Sequence, residues 1–253
     1  MIKKRLLTCS VMLVLVVISS LFICSKTDTK TVAKSTAGYK FIYAKNEVSN
    51  DFSFADEAIP VNDAGINKKI RHSLVKSSYR HVQSNILQEK AVKLFPIIEP
   101  ILKFYGIPED FKYVPLVESG LDPGISKRGA GGLWQFMPGT ARTYGLKVGH
   151  GKDERMNVRK STIAACKYIK ELYGQFNSWT LAAAAYNIGE IKMARAINKQ
   201  SQDNYYRMHF NHETGTYIYK LIAMKQIIEK PQDYGYKNYY SYNLQPADLI
   251  AFN

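Results

Sequence analysis

Glu118 is the residue whose type and setting most invite chemistry. If residues 108–120 are helical, Val114 and Phe111 lie four and seven positions before it on one face, with Pro115 beside them. A carboxyl group among apolar side chains is desolvated. Desolvation disfavours the anion and raises the pKa toward the range that a general acid needs near neutral pH. Spacing alone leaves a plainer alternative open, a helix-end glutamate that points to water. Further candidates come in short clusters: Ser119; Ser126; Gly129-Ala130-Gly131-Gly132-Leu133-Trp134-Gln135-Phe136-Met137-Pro138; Ala184-Ala185-Tyr186-Asn187-Ile188-Gly189; and Glu213-Thr214-Gly215-Thr216-Tyr217. Taken singly, Ser119 is a routine helix-end residue, and Met137 and Tyr186 read as packing. Glu213 reads as an acid complementing a helix N-terminus. Glu213 and Tyr217, four apart, project from one helical face.

The elements that must position these residues are predicted to be helices. Apolar periodicity begins between residues 70 and 83 and runs through Ile86, Ala91, Leu94, Ile98, Ile101 and Phe104, stopping at Gly106 with Pro108 beyond. A second helix starts at Pro108-Glu109-Asp110 and ends at Gly120. Residues 124–132 form a glycine-rich loop, residues 134–144 a short helix closed by Gly145, and residues 146–156 a polar loop. Asn157 or Ser161 caps a long helix with Ala165, Ile169, Leu172 and Phe176 on one face. Residues 179–186 form an alanine-rich helix that something must approach closely, and residues 190–199 an amphipathic one. The last long helix spans about residues 213–229, with Tyr217, Leu221, Met224 and Ile228 on one face. No strand pattern of any length and no internal repeat is present.

The 253 residues carry 35 Lys+Arg against 21 Asp+Glu, a formal charge of +14, with 46% apolar and 22% charged residues. That composition excludes disorder throughout and suits one good core. Lys3-Lys4-Arg5 precede an almost unbroken apolar run over residues 6–24, which reads as an export signal or an uncleaved anchor. Leu21-Phe22-Ile23-Cys24 resembles a lipoprotein box, with Ile23 larger than the residue usual there. In each version the remainder works outside the cytoplasm, which sets nucleic acid aside as a partner. Without residues 1–26, 31 basic residues face 21 acidic ones, still +10. Residues 27–74, rich in Ser, Thr, Lys, Asn and Asp, read as a tether of low structure. Cys9 and Cys24 lie in the leader, so Cys166 is left as a buried, inert thiol, and a metal site built on several cysteines is excluded.

Together and in this order, Glu118-Ser119, the Gly-Leu-x-Gln segment at Gly132 to Gln135, Ala185-Tyr186-Asn187 and Glu213-Thr214-x-x-Tyr217 resemble the soluble lytic transglycosylase domain, more narrowly its membrane-bound type D branch. The resemblance covers roughly residues 75–230. It implies a mainly α, lysozyme-like domain whose groove holds the glycan strands of peptidoglycan. It also implies that Glu118 protonates the bond between N-acetylmuramic acid and N-acetylglucosamine. The same residue then takes the proton of the muramoyl 6-hydroxyl, closing a 1,6-anhydro ring with no cofactor and no metal. By the same resemblance Ser119 orients the glutamate or the substrate's acetamido group, Gln135 hydrogen-bonds sugar and Met137 flanks the glycan. Tyr186 brings its hydroxyl to the catalytic carboxylate, Asn187 is its structural or binding neighbour, and Glu213 and Tyr217 line the cleft as substrate-binding residues.

Departures from the pattern are Lys127 and Arg128, which would add affinity for acidic stem peptides, and Asn157. The last replaces a common aspartate in Asp153-Glu154-Arg155-Met156-Asn157 and so weakens an ion-pair or metal role for that loop. Residues 231–253 form a tyrosine-rich tail, expected to pack over the domain. Alternatives to the transglycosylase are a hydrolytic muramidase of goose-lysozyme type, for which Asp122 is the near second carboxylate, and a non-catalytic peptidoglycan-binding protein.

Overall fold

In chain order the hairpin comes first. The computed structural model describes residues 52–82, 85–149 and 151–236; the leader, the first part of the expected tether and most of the tail lie outside them. Strands β1 (Ser53–Phe54) and β2 (Glu57–Ala58) pair antiparallel, Ser53 opposite Ala58. Ala55 and Asp56 join them with φ of 53° and 61°, the two positive angles that a type I′ hairpin turn requires. Helix α1 (Ala64–Ser77) follows, capped by Asp63, whose carboxylate accepts from Ile66 N at 2.9 Å. The short α2 (Tyr79–Val82) leads to α3 (Ile86–Tyr105), which ends on Gly106 in the left-handed region.

This beginning differs from the tether expected over residues 27–74. Ile66, Ile70 and Leu74 recur every fourth residue and are buried along α1, and Phe54 is fully buried beneath the hairpin. The many polar residues between them are the solvent face of an amphipathic helix.

Pro115 shapes the next segment. It has no N–H for an α-helical bond to Phe111, so residues Glu109–Tyr113 wind as a 3-10 turn before α4 (Val114–Ser119) begins. Gly120, at φ 62°, closes α4. Helix α5 is shorter than the 134–144 expected, spanning Pro138–Thr143. Reciprocal backbone bonds between Gly131 and Phe136 hold residues 132–135 in a turn instead. The expected polar loop contains the two-residue strands β3 (Val148–Gly149) and β4 (Lys152–Asp153). Asn157, as expected, caps the long α6 (Val158–Phe176), accepting from Lys160 N at 2.9 Å.

Helices α7 (Trp179–Ile188), α8 (Glu190–Gln200) and α9 (His212–Glu229) complete the bundle. The packed pairs are α1 with α9, α3 with α6, α6 with α7 and α7 with both α8 and α9. Ala182, Ala183, Ala184 and Ala185 are all fully buried, so the small side chains let neighbouring backbones come close to α7. Cys166 is buried too, and burial pushes its thiol up to about 12, the inert state expected. At the start of the tail, Tyr234 and Tyr236 are buried and the Tyr236 hydroxyl donates to Ser77 O at 2.6 Å. The fold is mainly α; among the described residues no helix is long and apolar enough to cross a membrane.

The hairpin is fastened to the far end of the helix that carries Tyr186 and Asn187. The Glu57 carboxylate accepts from Ser178 Oγ at 3.0 Å and from the N–H groups of Trp179 and Thr180, the first turn of α7. A carboxylate there satisfies orphan N–H groups and complements the helix dipole. Glu57→Ala is expected to cost about 1–3 kcal/mol, read as a lower midpoint in urea denaturation.

Candidate active site

Five segments converge on a groove of about 410 Å³: Glu118 from α4; Ser126, Arg128, Ala130, Gln135, Phe136, Met137 and Thr140 from the glycine-rich stretch and α5; Tyr168 from α6; Tyr186 to Gly189 from the end of α7; and Glu213 from the start of α9. Of the residues expected in the site, Glu118, Gln135, Met137, Tyr186, Asn187 and Glu213 all line it. Ser119 and Tyr217 stand behind that lining.

Glu118 sits at the end of α4, three and four residues after Pro115 and Val114 on the same helical face, both buried. The Tyr217 hydroxyl donates to Glu118 Oε1 at 2.7 Å. Burial raises the pKa of Glu118 above the ordinary glutamate value. The Tyr217 hydrogen bond opposes this, Glu213 adds to it, and Lys220 opposes it more weakly. Burial prevails, so the group is biased toward the protonated form. This overrides the plainer alternative of a helix-end glutamate pointing to water.

Tyr186 lines the groove with Glu118, but its hydroxyl bonds elsewhere. Tyr186 directs its hydroxyl to Trp134 O at 2.7 Å, whereas the phenol on the carboxylate is that of Tyr217. Tyr217 is only 2% exposed, which puts it behind Glu118 and not along the cleft. Its place follows from α9, where residue 217 lies on the face turned to α4. Burial pushes both phenols well above the usual tyrosine range, the Glu118 charge adding to the effect, so each stays a hydrogen-bond donor.

The groove wall opposite α9 is a strained loop with several fasteners. Ser119 Oγ lies between Pro115 O at 3.0 Å and Leu133 O at 2.9 Å, joining α4 to the loop. Its single proton is shared between these carbonyls, which leaves its lone pairs to accept. Gln135 takes φ 47° and its Nε2 donates to Gly132 O at 2.9 Å and Gly124 O at 3.2 Å. Trp134, fully buried, donates from Nε1 to Thr162 Oγ1 at 2.9 Å. Asn187 Oδ1 accepts from Thr214 Oγ1 at 3.1 Å, tying α7 to the start of α9.

Arg155 organises this wall, and sequence reasoning passed over it. It is 4% exposed, pairs with Asp153 at 2.7 Å and donates from Nη1 to Gly129 O at 2.7 Å and Phe136 O at 2.9 Å. The ion-pair role that Asn157 was expected to weaken is therefore present, with Asp153 on Arg155 and Glu154 on Lys160 at 2.6 Å. The close approach also explains two glycines. A Cβ on Gly132 would stand 1.9 Å from Arg155 O, and one on Gly131 2.8 Å from Arg155 Cζ. Tyr168 is the other omission. Its ring stands 5.3 Å from Tyr186 and 4.9 Å from Tyr144, and its position three residues after Ala165 on the apolar face of α6 was the available signal. Among the described residues no cluster of His, Cys, Asp and Glu has the makings of a metal site.

The sequence model described as Transglycosylase SLT domain matches residues 95–209, and this segment is similar to that family. The match holds Glu118, Ser119, Gln135, Met137, Tyr186 and Asn187 and ends before Glu213 and Tyr217. The chain is 31% identical over 183 residues to membrane-bound lytic murein transglycosylase D of Escherichia coli, which covers 70% of this chain and 39% of that protein. It is 43% identical over 67 residues, 26% of this chain and 5% of the other, to peptidoglycan transglycosylase gp16 of Escherichia phage T7. An inactive mutant of lytic transglycosylase Slt from Pseudomonas aeruginosa overlays 55% of this chain and 23% of its own at 20% identity and TM-score 0.35. The chain thus spans about 39% of the length of the curated relatives it matches over most of its own.

A raised carboxyl pKa has a stability signature. As pH rises from the ordinary glutamate value, the unfolded chain loses the Glu118 proton before the folded protein does, so stability falls through that window and stays lower above the folded pKa. Glu118→Gln is expected to abolish this fall and to be the more stable protein at neutral pH, measured as denaturation midpoints across pH 4–8, roughly the span of buried carboxyl groups.

Proposed function

We propose that the chain is a peptidoglycan lytic transglycosylase that cleaves the β-1,4 bond between N-acetylmuramic acid and N-acetylglucosamine. The observation that carries this reading is Glu118, held by the Tyr217 hydroxyl at 2.7 Å, in a groove between the loop of residues 124–137 and the ends of α7 and α9. The Glu118 proton passes to the glycosidic oxygen as the C1–O bond breaks, and the substrate's N-acetyl group stabilises the cation at C1. The muramoyl 6-hydroxyl then attacks C1 and returns its proton to the Glu118 carboxylate, so no water is consumed and the enzyme ends in its starting state. Ordinary glycosidases need a second carboxylate as nucleophile or water-activating base. A substrate that supplies its own nucleophile does not.

Against hydrolysis stands Asp122, the near second carboxylate. It is exposed, held by Lys90 at 3.1 Å, and does not line the groove, so the second carboxylate there is Glu213, which we assign to substrate positioning. Against a purely binding role stands the carboxyl group placed over apolar neighbours, which binding does not need. Gln135, Met137, Tyr168 and Asn187 supply the polar edges and flat faces that sugar rings use. A place in the cell envelope fits the basic, apolar leader and the relative whose name is membrane-bound.

Digestion of purified sacculi is expected to release muropeptides whose muramoyl ends are one water lighter than reducing ends by mass spectrometry. Reducing ends alone would show a muramidase. Glu118→Gln is expected to lower release by about 10²–10⁴-fold, and unchanged release would remove Glu118 from the chemistry.

Arg128 is the cation among the groove residues and is exposed. It suits a carboxylate of the stem peptide. Arg128→Gln is expected to slow cleavage of peptide-bearing glycan about twofold to fivefold, an exposed ion pair being worth up to about 1 kcal/mol, and to leave peptide-free glycan unaffected.

A further inference from the structure

The contact between Glu118 and Tyr217 joins residues 99 positions apart, and something must hold their two elements in register. Eight residues before Glu118 stands Asp110, and eight residues after Tyr217 stands Lys225. These two meet: Lys225 Nζ lies 2.8 Å from Asp110 Oδ2, with side chains 16% and 13% exposed. The elements run antiparallel, and each eight-residue stretch spans about 12–14 Å. The ion pair and the catalytic contact are therefore two fasteners a fixed distance apart on one helix pair. Tyr113 Oη, donating to Glu229 Oε1 at 2.9 Å, adds a third on the ion-pair side.

Asp110 is engaged from a further direction. Its Oδ2 also accepts from Ala55 N at 2.7 Å, so the turn of the hairpin leans on the same oxygen. The hairpin thereby touches the segments bearing Glu118 and Tyr217 at Asp110, and the helix bearing Tyr186 and Asn187 through Glu57. A second cavity of about 490 Å³ opens along this seam. Its Glu57 and Ser178 are engaged in capping α7, which makes it a joint between elements.

We propose that Asp110 and Lys225 are positioning residues for Glu118, setting the register of α4 against α9 that keeps the Tyr217 hydroxyl on the carboxylate. The proposal rests on Glu118 being the acid of the reaction proposed above. Loosening the pair withdraws the phenol, which leaves the anion less stabilised.

The test separates register from electric field. In the full chain, the titration of the Glu118 carboxyl carbon is followed by ¹³C NMR in Asp110→Asn and Lys225→Met. Removing a negative charge at 110 would by field alone lower the Glu118 midpoint, and removing a positive charge at 225 would raise it. Loss of register raises it in both, by about 1–2 pH units for one charge-assisted hydrogen bond. The other groups facing Glu118, which are Glu213 and Lys220 of α9 and Tyr186 of α7, are left unaltered by either substitution. On sacculi, kcat is expected to fall about tenfold with KM within about twofold, while Lys225→Arg retains both.

Shifts of opposite sign, or none, would overturn the proposal. Should Asp110→Asn fail to fold, Asp110→Glu keeps the charge and lengthens the arm. Register then predicts an upward shift and field predicts none. Because the titration needs no substrate, its outcome stands apart from whether anhydro ends are released.

Discussion

A carboxyl group donates a proton near neutral pH only where its anion is kept from water, and it takes the proton back only where the anion is tolerated. Glu118 lies between these demands. Burial at the end of α4 keeps water from the carboxyl group, which favours the acid. The Tyr217 hydroxyl, 2.7 Å from Oε1, gives the anion one strong partner and limits that bias. The other helices can be understood by how they hold these two side chains at that separation. Burial of α4 needs α9 across it, and α9 is held by α1, whose apolar stripe comes from a stretch of otherwise polar composition.

The opposite wall has a different problem. A loop must bring backbone carbonyls and the Gln135 side chain to the groove without the hydrogen-bond ladder of a helix or a long strand. Arg155 solves much of it from behind, its guanidinium serving Gly129 and Phe136 carbonyls while Asp153 balances the charge. That closeness admits no side chain at Gly132. Ser119 and Tyr186 complete the attachment, one to Leu133 O and the other to Trp134 O. Residues that resemble sugar ligands in sequence thus also fasten the wall, and the two roles are compatible because the hydroxyl of Ser119 keeps acceptor lone pairs.

Much of the local structure was legible in the chain. Gly106 and Gly120 end helices at positive φ, Asn157 caps α6, and periodic apolar positions marked the buried faces of α6 and α9, whereas on α3 Ile86 and Phe104 are exposed. The residues lining the groove were also legible, from ordered motifs and not from any one of them. Less visible were features that mix rules. Polar composition concealed α1, because three apolar residues at fourfold spacing are a weak signal among lysines. The turn at residues 132–135 read as helix, because its backbone is decided by the Gly131 and Phe136 pairing.

By itself the sequence determined where helices start and stop, and that one glutamate sits on an apolar face. It did so because caps, prolines and periodic burial act within a few residues. Tertiary structure decided which phenol meets that glutamate, that Arg155 is buried under the glycines, and that the hairpin at residues 53–58 is tied to α7 and to Asp110. Those contacts join residues between 19 and 123 positions apart. Tyr186 and Tyr217 have the same chemistry, and only the packing angles of α7 and α9 direct one hydroxyl to Trp134 O and the other to Glu118.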